Sequence, residues 1–344
     1  MIAKKKIVFI MNPISGTVSK AGIPAIIDST LDKEKFDYVI KHTEYAGHAS
    51  DLAREAANAG TDIVVAVGGD GTVNEVARAI VHTHTALGII PCGSGNGLAR
   101  HLSIPLDFRK AIEIINACEI HDLDYGIINE MPFFCTCGMG FDAFISLKFA
   151  MSGKRGPISY AENVLKEGLK YKPETYIIEN ENGKQQYEAF LISCANASQY
   201  GNNAYIAPQA SMSDGLLDVI IMEPFDIIEA AQVSIDMFNK TLDKNSKIKT
   251  FKASRLHIHR AGPGVIHYDG DPIMTGSDVD ISIEKKGIRI VVNPHADKSV
   301  RRPNALQSAF CEFFNDINSV REDITRQGRQ IQALNKKLLK KLNI

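Results

Sequence analysis

Three short stretches of this 344-residue chain combine glycine, hydroxyl and amide groups: Asn12-Pro13-Ile14-Ser15-Gly16, Gly68-Gly69-Asp70-Gly71-Thr72-Val73-Asn74-Glu75 and Pro91-Cys92-Gly93-Ser94-Gly95-Asn96-Gly97. Glycine lets a backbone N–H approach an anion closely, and the hydroxyls of Thr72 and Ser94 suit phosphate oxygens. Asp70 suits a metal, a hydroxyl or a proton, and its plainer use is to cap the helix that follows. One such loop is an ordinary turn; three after successive strands point to a phosphate-bearing ligand. The spacing excludes a GxxxxGK[ST] phosphate loop, the GxGxxG dinucleotide fingerprint and the HRD and DFG motifs of protein kinases.

The elements that must carry these loops alternate in type. Apolar runs at Ile7–Met11, Tyr38–Lys41, Ile63–Val67 and Ala86–Ile90 read as strands, with helical patterns at Pro24–Leu31, His48–Gly60 and Val73–His82. This is an α/β domain with a parallel sheet covered on both faces, whose ligands gather at the carboxyl ends of the strands. After Asp124 strand patterns follow one another: 133–137, 176–179, 189–194, 216–222, 256–259, 279–283 and 288–292, with helices expected over 157–170 and 226–239. Asn182-Gly183 marks a hairpin turn, and the second domain reads as a mostly antiparallel β-sandwich. In the last forty residues Leu306, Phe310, Phe313, Ile317, Val320 and Ile324 begin an alternating four- and three-residue spacing that runs to Leu338. That pattern predicts a coiled-coil-like helical tail, suited to self-association or to a partner helix. The expected division is 1–125 with about 293–303 as the α/β domain, 126–292 as the sandwich and 304–344 as the tail.

Composition sets outer limits. A formal net charge of -1 provides no global field for nucleic acid. Six scattered cysteines lack metal or redox spacing and read as buried free thiols of a reducing compartment. No stretch reaches roughly 18 apolar residues, so any membrane contact is expected to be peripheral to the inner face, from the cytoplasm. His257, His259 and His267 lack companion ligands and read as surface or satisfied histidines.

In their order along the chain, NPISG, VGGDGTVNEV, PCGSGNGLAR, GMGFDA (138–143), SDGLLDV (213–219) and YDGDP (268–272) resemble the diacylglycerol kinase catalytic-domain family, which includes bacterial lipid kinases and the sphingosine and ceramide kinases. The likeness spans roughly residues 5–298. It implies an NAD-kinase-like α/β domain followed by a β-sandwich, with ATP and a lipid meeting between them and ATP-dependent phosphorylation of a lipid hydroxyl. The nucleotide positions carried over are Asn12, Pro13, Ser15, Gly16, Thr43, Gly68, Gly69, Asp70, Gly71, Thr72, Val73, Asn74, Ser94, Gly95 and Asn96. A structural Mg²⁺ site maps to Asp214 with the carbonyls of Ser211 and Leu216, and Asp70 with Mg²⁺ would hold the phosphates. The general base falls on Asp269 or Asp271; the family commonly has glutamate where Asp271 stands. Arg100, Lys154 and Arg155 are the basic groups expected to face the phosphate or the lipid.

The chain departs from the pattern at Thr17, where the family often has lysine or arginine and where Lys20 is the nearest cation. It departs again at Gly93-Ser94-Gly95-Asn96-Gly97, which is closer to the sphingoid-base and ceramide pattern, although Phe144 stands where sphingosine kinases place an aspartate. The lipid therefore stays open. The rival readings are a soluble-substrate kinase of the NAD kinase type and a nucleotide-binding regulator that has lost catalysis.

Overall fold

The computed structural model describes residues 3–13, 20–152 and 171–296. The expected helix over 157–170, the coiled-coil tail, Ser15, Gly16, Lys154 and Arg155 lie outside the described residues.

The first half alternates strand and helix: β1 (Lys5–Met11), α1 (Ile23–Thr30), β2 (Phe36–His42), α2 (His48–Asn58), β3 (Ile63–Gly68), α3 (Asp70–Ile80), β4 (Ala86–Pro91), α4 (Gly97–His101) and α5 (Phe108–Ala117). Strands pair in parallel in the order β2-β1-β3-β4. Helix α1 packs with α5 and α2 with α3, and every residue of β3 and β4 is buried, as expected for a sheet covered on both faces. The chain leaves β1 toward β2 on one side and passes from β3 to β4 on the other. Loops after the adjacent strands β1 and β3 therefore open at the point where the winding reverses, the usual ligand crevice of such sheets.

The second half is built from β5 (Ile120–Ile128), β6 (Met131–Phe133), β7 (Thr136–Gly140), α6 (Phe141–Ser152), β8 (Glu174–Asn180), β9 (Gly183–Ala189), β10 (Leu191–Ala195), β11 (Leu217–Met222), α7 (Ile227–Asn239), β12 (Ile248–Ala253), β13 (Arg255–Arg260), β14 (Gly264–Tyr268), β15 (Asp271–Thr275) and β16 (Asp278–Val291). An antiparallel sheet in the order β12-β11-β10-β7-β14-β15 faces β16, β13, β8, β9, β5 and β6. Between them Phe133, Met139, Tyr176, Ile192, Ile221, Ile258, Ile266 and Ile281 form one buried core. Strand β16 joins the lobes: Asp278–Ser282 pairs with β13, and Arg289 and Ile290 pair in parallel with Ala86 and Leu87 of β4. The two-domain architecture is thus an α/β lobe with a parallel sheet followed by an antiparallel sandwich, linked by one continuous strand.

Several boundaries differ from the sequence reading. Helix α3 begins at Asp70 rather than Val73, because Gly69 is already extended (φ -88°, ψ -172°) and serves as the N-cap. The expected strand 133–137 breaks at Phe134 and Cys135, whose N–H groups turn to the Asp269 side chain. The run 189–194 breaks at Phe190, where the chain passes from one sheet to the other. The runs 279–283 and 288–292 are one strand, β16, with a register shift between Glu284 and Ile288. Strands β5, β12, β14 and β15 were not legible as periodic runs.

Candidate active site

Loop backbones at the sheet edge touch one another, and glycine is what permits it. A Cβ on Gly68 would lie 2.4 Å from Thr72 Oγ1, one on Gly93 2.6 Å from Gly69 Cα, and one on Gly95 2.9 Å from Asp70 Oδ2. Gly71 differs: it is exposed, and a Cβ there would meet nothing within 4 Å. The first helical N–H bond of α3 runs from Val73 to the Gly69 carbonyl, so the Gly71 and Thr72 N–H groups before it are not taken by the helix ladder. An anion at this helix end would meet Gly71 and Thr72.

Asp70 is the first residue of α3. Its Oδ2 accepts the Asn96 N–H at 2.8 Å and its Oδ1 the Gly97 N–H at 2.7 Å, so the carboxylate ties the second loop to the third. Burial pushes its carboxyl above the usual carboxylate range, against those two bonds, the Asp70 N–H itself and the Arg100 charge. Asn96, in left-handed conformation (φ 52°), is a brace within its own loop: its Oδ1 accepts the Gly93 N–H at 2.8 Å and its Nδ2 donates to the Gly93 carbonyl at 2.7 Å. Ser94 stands exposed at the tip. In the first loop Asn12 donates to the Val67 carbonyl and its own carbonyl accepts the buried Lys20 ammonium at 2.5 Å. Burial lowers the Lys20 pKa, with Cys92 acting in the opposite sense. Thr43, at the end of β2, is buried and donates its N–H to the Met11 carbonyl. Thr72, Val73 and Asn74 are buried in the first turn of α3, and Glu75 accepts the N–H of Gly47 that precedes α2.

Arg100 Nε donates to the Gly95 carbonyl at 2.9 Å and its Nη1 to Asn203 Oδ1 at 3.2 Å. The same Gly95 carbonyl accepts the Asn202 N–H, and His101 Nδ1 accepts the Ser198 N–H at 3.1 Å. Burial lowers the His101 pKa to about 4. Residues 198–203 of the second lobe thus clasp the third loop, a role the aperiodic polar run Asn196–Asn203 signals only weakly in sequence.

The acidic hairpin separates the two candidate bases. Asp269 (φ 53°) and Gly270 (φ 87°) form the two-residue turn between β14 and β15. The Asp269 carboxylate accepts three N–H groups, from Phe134 at 2.8 Å, Cys135 at 2.7 Å and Thr136 at 3.1 Å. Burial raises its pKa against those donors and the Arg78 charge. Every oxygen of Asp269 is thus engaged in holding the turn on the β6–β7 link. Asp271 is different: its side chain is 51% exposed and Oδ2 accepts Arg78 Nη1 at 3.0 Å. The Cys135 thiol is pushed far up by burial first and then by the charges of Asp269 and Asp70. Beneath the hairpin, buried His267 meets Asp142 Oδ2 at 3.0 Å, and Tyr200 donates to the same oxygen. Arg78, Asp142 and the 198–203 loop are site neighbours that the sequence reading did not single out.

At Asp214, where the resemblance implies magnesium, the carboxylate already has protein partners. Asp214 Oδ1 accepts the Leu216 N–H at 3.1 Å, and Oδ2 accepts the Lys252 ammonium at 2.8 Å, which also reaches Asp218 Oδ2 at 2.9 Å. The single ammonium offsets one of the two carboxylate charges, and the Ser211 and Ser213 hydroxyls lie 3.2 Å apart. Among the described residues no cluster of three or more His, Cys, Asp or Glu is arranged to hold a metal.

Comparison with known proteins identifies the family. The profile of the diacylglycerol kinase catalytic domain matches residues 6–128, and that of the YegS C-terminal NAD kinase beta sandwich-like domain matches residues 136–306. The chain is 27% identical over 271 residues to a protein of Escherichia coli (strain K12 / DH10B) named "Probable lipid kinase YegS", covering 77% of this chain and 89% of that one. It is also 27% identical over 239 residues to a "Probable lipid kinase YegS-like" protein of Chromohalobacter salexigens, covering 68% and 77%. The fold is shared with a diacylglycerol kinase from Bacillus anthracis at TM-score 0.67 and 21% identity, covering 85% of this chain and 98% of that one. A second crystal structure from the same organism matches at TM-score 0.70 and 24% identity, covering 85% and 97%. With two consecutive profiles spanning both lobes in the family's order, the chain belongs to the diacylglycerol kinase catalytic-domain family.

Proposed function

We propose that this protein is an ATP-dependent lipid kinase in which Asp271 is the general base. The observation that carries the reading is that the second and third loops, tied by Asp70, are each joined to the second lobe: Arg78 of α3 reaches Asp271 of the acidic hairpin, and residues 202–203 hold the third loop. ATP enters with its accompanying Mg²⁺ as a substrate complex, and its phosphates lie against the N–H groups at the start of α3. Asp271 takes the proton of the lipid hydroxyl as the hydroxyl oxygen attacks the γ-phosphorus. The bond to the β–γ bridging oxygen breaks, ADP leaves, and the phosphorylated lipid is formed. Phosphoryl transfer of this kind depends chiefly on positioning and charge stabilisation, which a rigid loop cluster supplies.

In this reading Asn12, Pro13, Thr43, Gly71 and Ser94 line the nucleotide side together with Ser15 and Gly16, while Gly68, Gly69, Gly95, Asn96, Asp70 and Arg100 hold the loops in shape. Residues 1–125 with about 293–303 serve the nucleotide and 126–292 the lipid, with 304–344 as a tail for self-association. Lys154 and Arg155 are the cations assigned to the lipid or phosphate. Ile273 and Met274, 39% and 62% exposed on the edge strand that begins at Asp271, support peripheral contact with a lipid surface. Among the described residues no helix is long and apolar enough to cross a membrane.

The test is γ-phosphate transfer from radiolabelled ATP to diacylglycerol, sphingosine, ceramide and phosphatidylglycerol in mixed micelles, with NAD as a soluble acceptor. Transfer to at least one lipid is expected. Transfer to NAD alone would replace the reading with a soluble-substrate kinase, and ATP binding without any transfer would replace it with a nucleotide-binding regulator.

A further inference from the structure

Arg78 lies on α3, eight residues after Asp70, so about 12 Å separates it along the helix from the proposed phosphate end. Its guanidinium makes three different contacts. Nε donates to the Pro132 carbonyl at 3.2 Å, Nη1 donates to Asp271 Oδ2 at 3.0 Å, and Cζ sits 4.6 Å from the centre of the Tyr268 ring. Tyr268 is the cross-strand partner of Asp271, so the guanidinium grips both sides of the hairpin mouth. The Arg78 side chain is 19% exposed and its partner 51%, so the arginine is the anchored member of the pair. Among the described residues no donor reaches Asp271 Oδ1. One carboxylate oxygen is therefore clamped while the other stays open to a hydroxyl proton.

We infer that Arg78 is a positioning residue for Asp271: it fixes the acceptor-side carboxylate to the helix whose first turn receives the ATP phosphates. This assignment rests on the lipid-kinase reading. A planar guanidinium suits the task because its donors diverge in fixed directions and its face stacks on Tyr268, neither of which a lysine ammonium reproduces. Helix α3 then carries the donor contact at one end and the hold on the base two turns later, so the distance from base to γ-phosphate is set within one rigid element. Asp269, with its three N–H bonds, fixes the same turn from the buried side. The open side is held by Arg78.

The experiment compares the full chain with Arg78→Met and Arg78→Lys, measuring kcat, both KM values and Tm with whichever lipid the wild-type protein phosphorylates. For Arg78→Met, kcat is expected to fall on the order of 100-fold, with both KM values within about twofold. Arg78→Lys, which keeps the charge but not the fork, is expected to recover about tenfold of that loss. An unchanged kcat in Arg78→Met overturns the assignment, as does a raised KM for ATP at unchanged kcat, which would make Arg78 a phosphate contact. Equal losses of kcat and Tm in both variants, without recovery by lysine, would reduce it to a structural brace. If the wild-type chain phosphorylates no lipid, the lipid-kinase reading fails and the assignment fails with it; an active wild type beside a fully active Arg78→Met removes the assignment alone.

Discussion

Asp269→Asn and Asp271→Asn should fail in opposite ways. Asp269 Oδ1 accepts two N–H groups and Oδ2 a third, all buried. An asparagine can keep the two bonds at one oxygen but must turn its NH₂ toward the N–H of Phe134. One orphaned buried donor costs about 1–3 kcal/mol, and the remaining two bonds lose their charge assistance, so about 3 kcal/mol in total is expected. At roughly 2–4 °C per kcal/mol, Tm should fall by about 6 °C or more. Asp271 makes a single half-exposed ion pair, so its replacement should cost under about 1 kcal/mol and leave Tm within about 3 °C. Its effect on kcat should instead be on the order of 100-fold or more, the usual contribution of a general base. Thermal unfolding and radiolabel transfer on the same preparations read both quantities. If Asp269→Asn leaves Tm unchanged and abolishes transfer while Asp271→Asn remains active, the division of roles argued from the hydrogen bonds is wrong.

Acid should weaken the clasp at His101. With its pKa near 4 in the fold against 6.5 otherwise, the unfolded chain takes up this proton first, so stability falls as pH drops from 6.5 toward 4. The loss is about 2 kcal/mol between pH 7 and pH 5, and His101→Asn should remove that part of the slope in urea unfolding curves measured at the two pH values. Gly95→Ala would place a methyl 2.9 Å from Asp70 Oδ2, and a cost of about 1–3 kcal/mol with reduced ATP affinity is expected by calorimetry. Adding a chelator to the nucleotide-free protein should leave Tm unchanged, whereas Lys252→Met, which strands Asp214 and Asp218 together, should lower stability by about 1 kcal/mol; a chelator-induced drop in Tm would restore a metal to that site.

Local pattern settled much of this protein before any tertiary contact was considered. Alternating apolar runs and helical stretches separated by glycine-rich loops predict a parallel sheet whose loops gather at one edge, because period and turn chemistry are local properties. The motif order likewise identifies the family and brings both acidic segments to the same reaction. Function within a motif was less legible. Asp70 reads as a helix cap or a metal ligand, and the fold adds that its oxygens accept from Asn96 and Gly97; Arg100 reads as a phosphate contact, and the fold adds its bonds to Gly95 and Asn203. Asp269 and Asp271 are two residues apart and indistinguishable by type. Only the fold decides that one is sunk against three N–H groups while the other faces outward beside Arg78. The reason is physical: residue type specifies what a side chain can bond, but which donors are within reach depends on segments as far apart as 78 and 271, brought together by the packing of two lobes along β16.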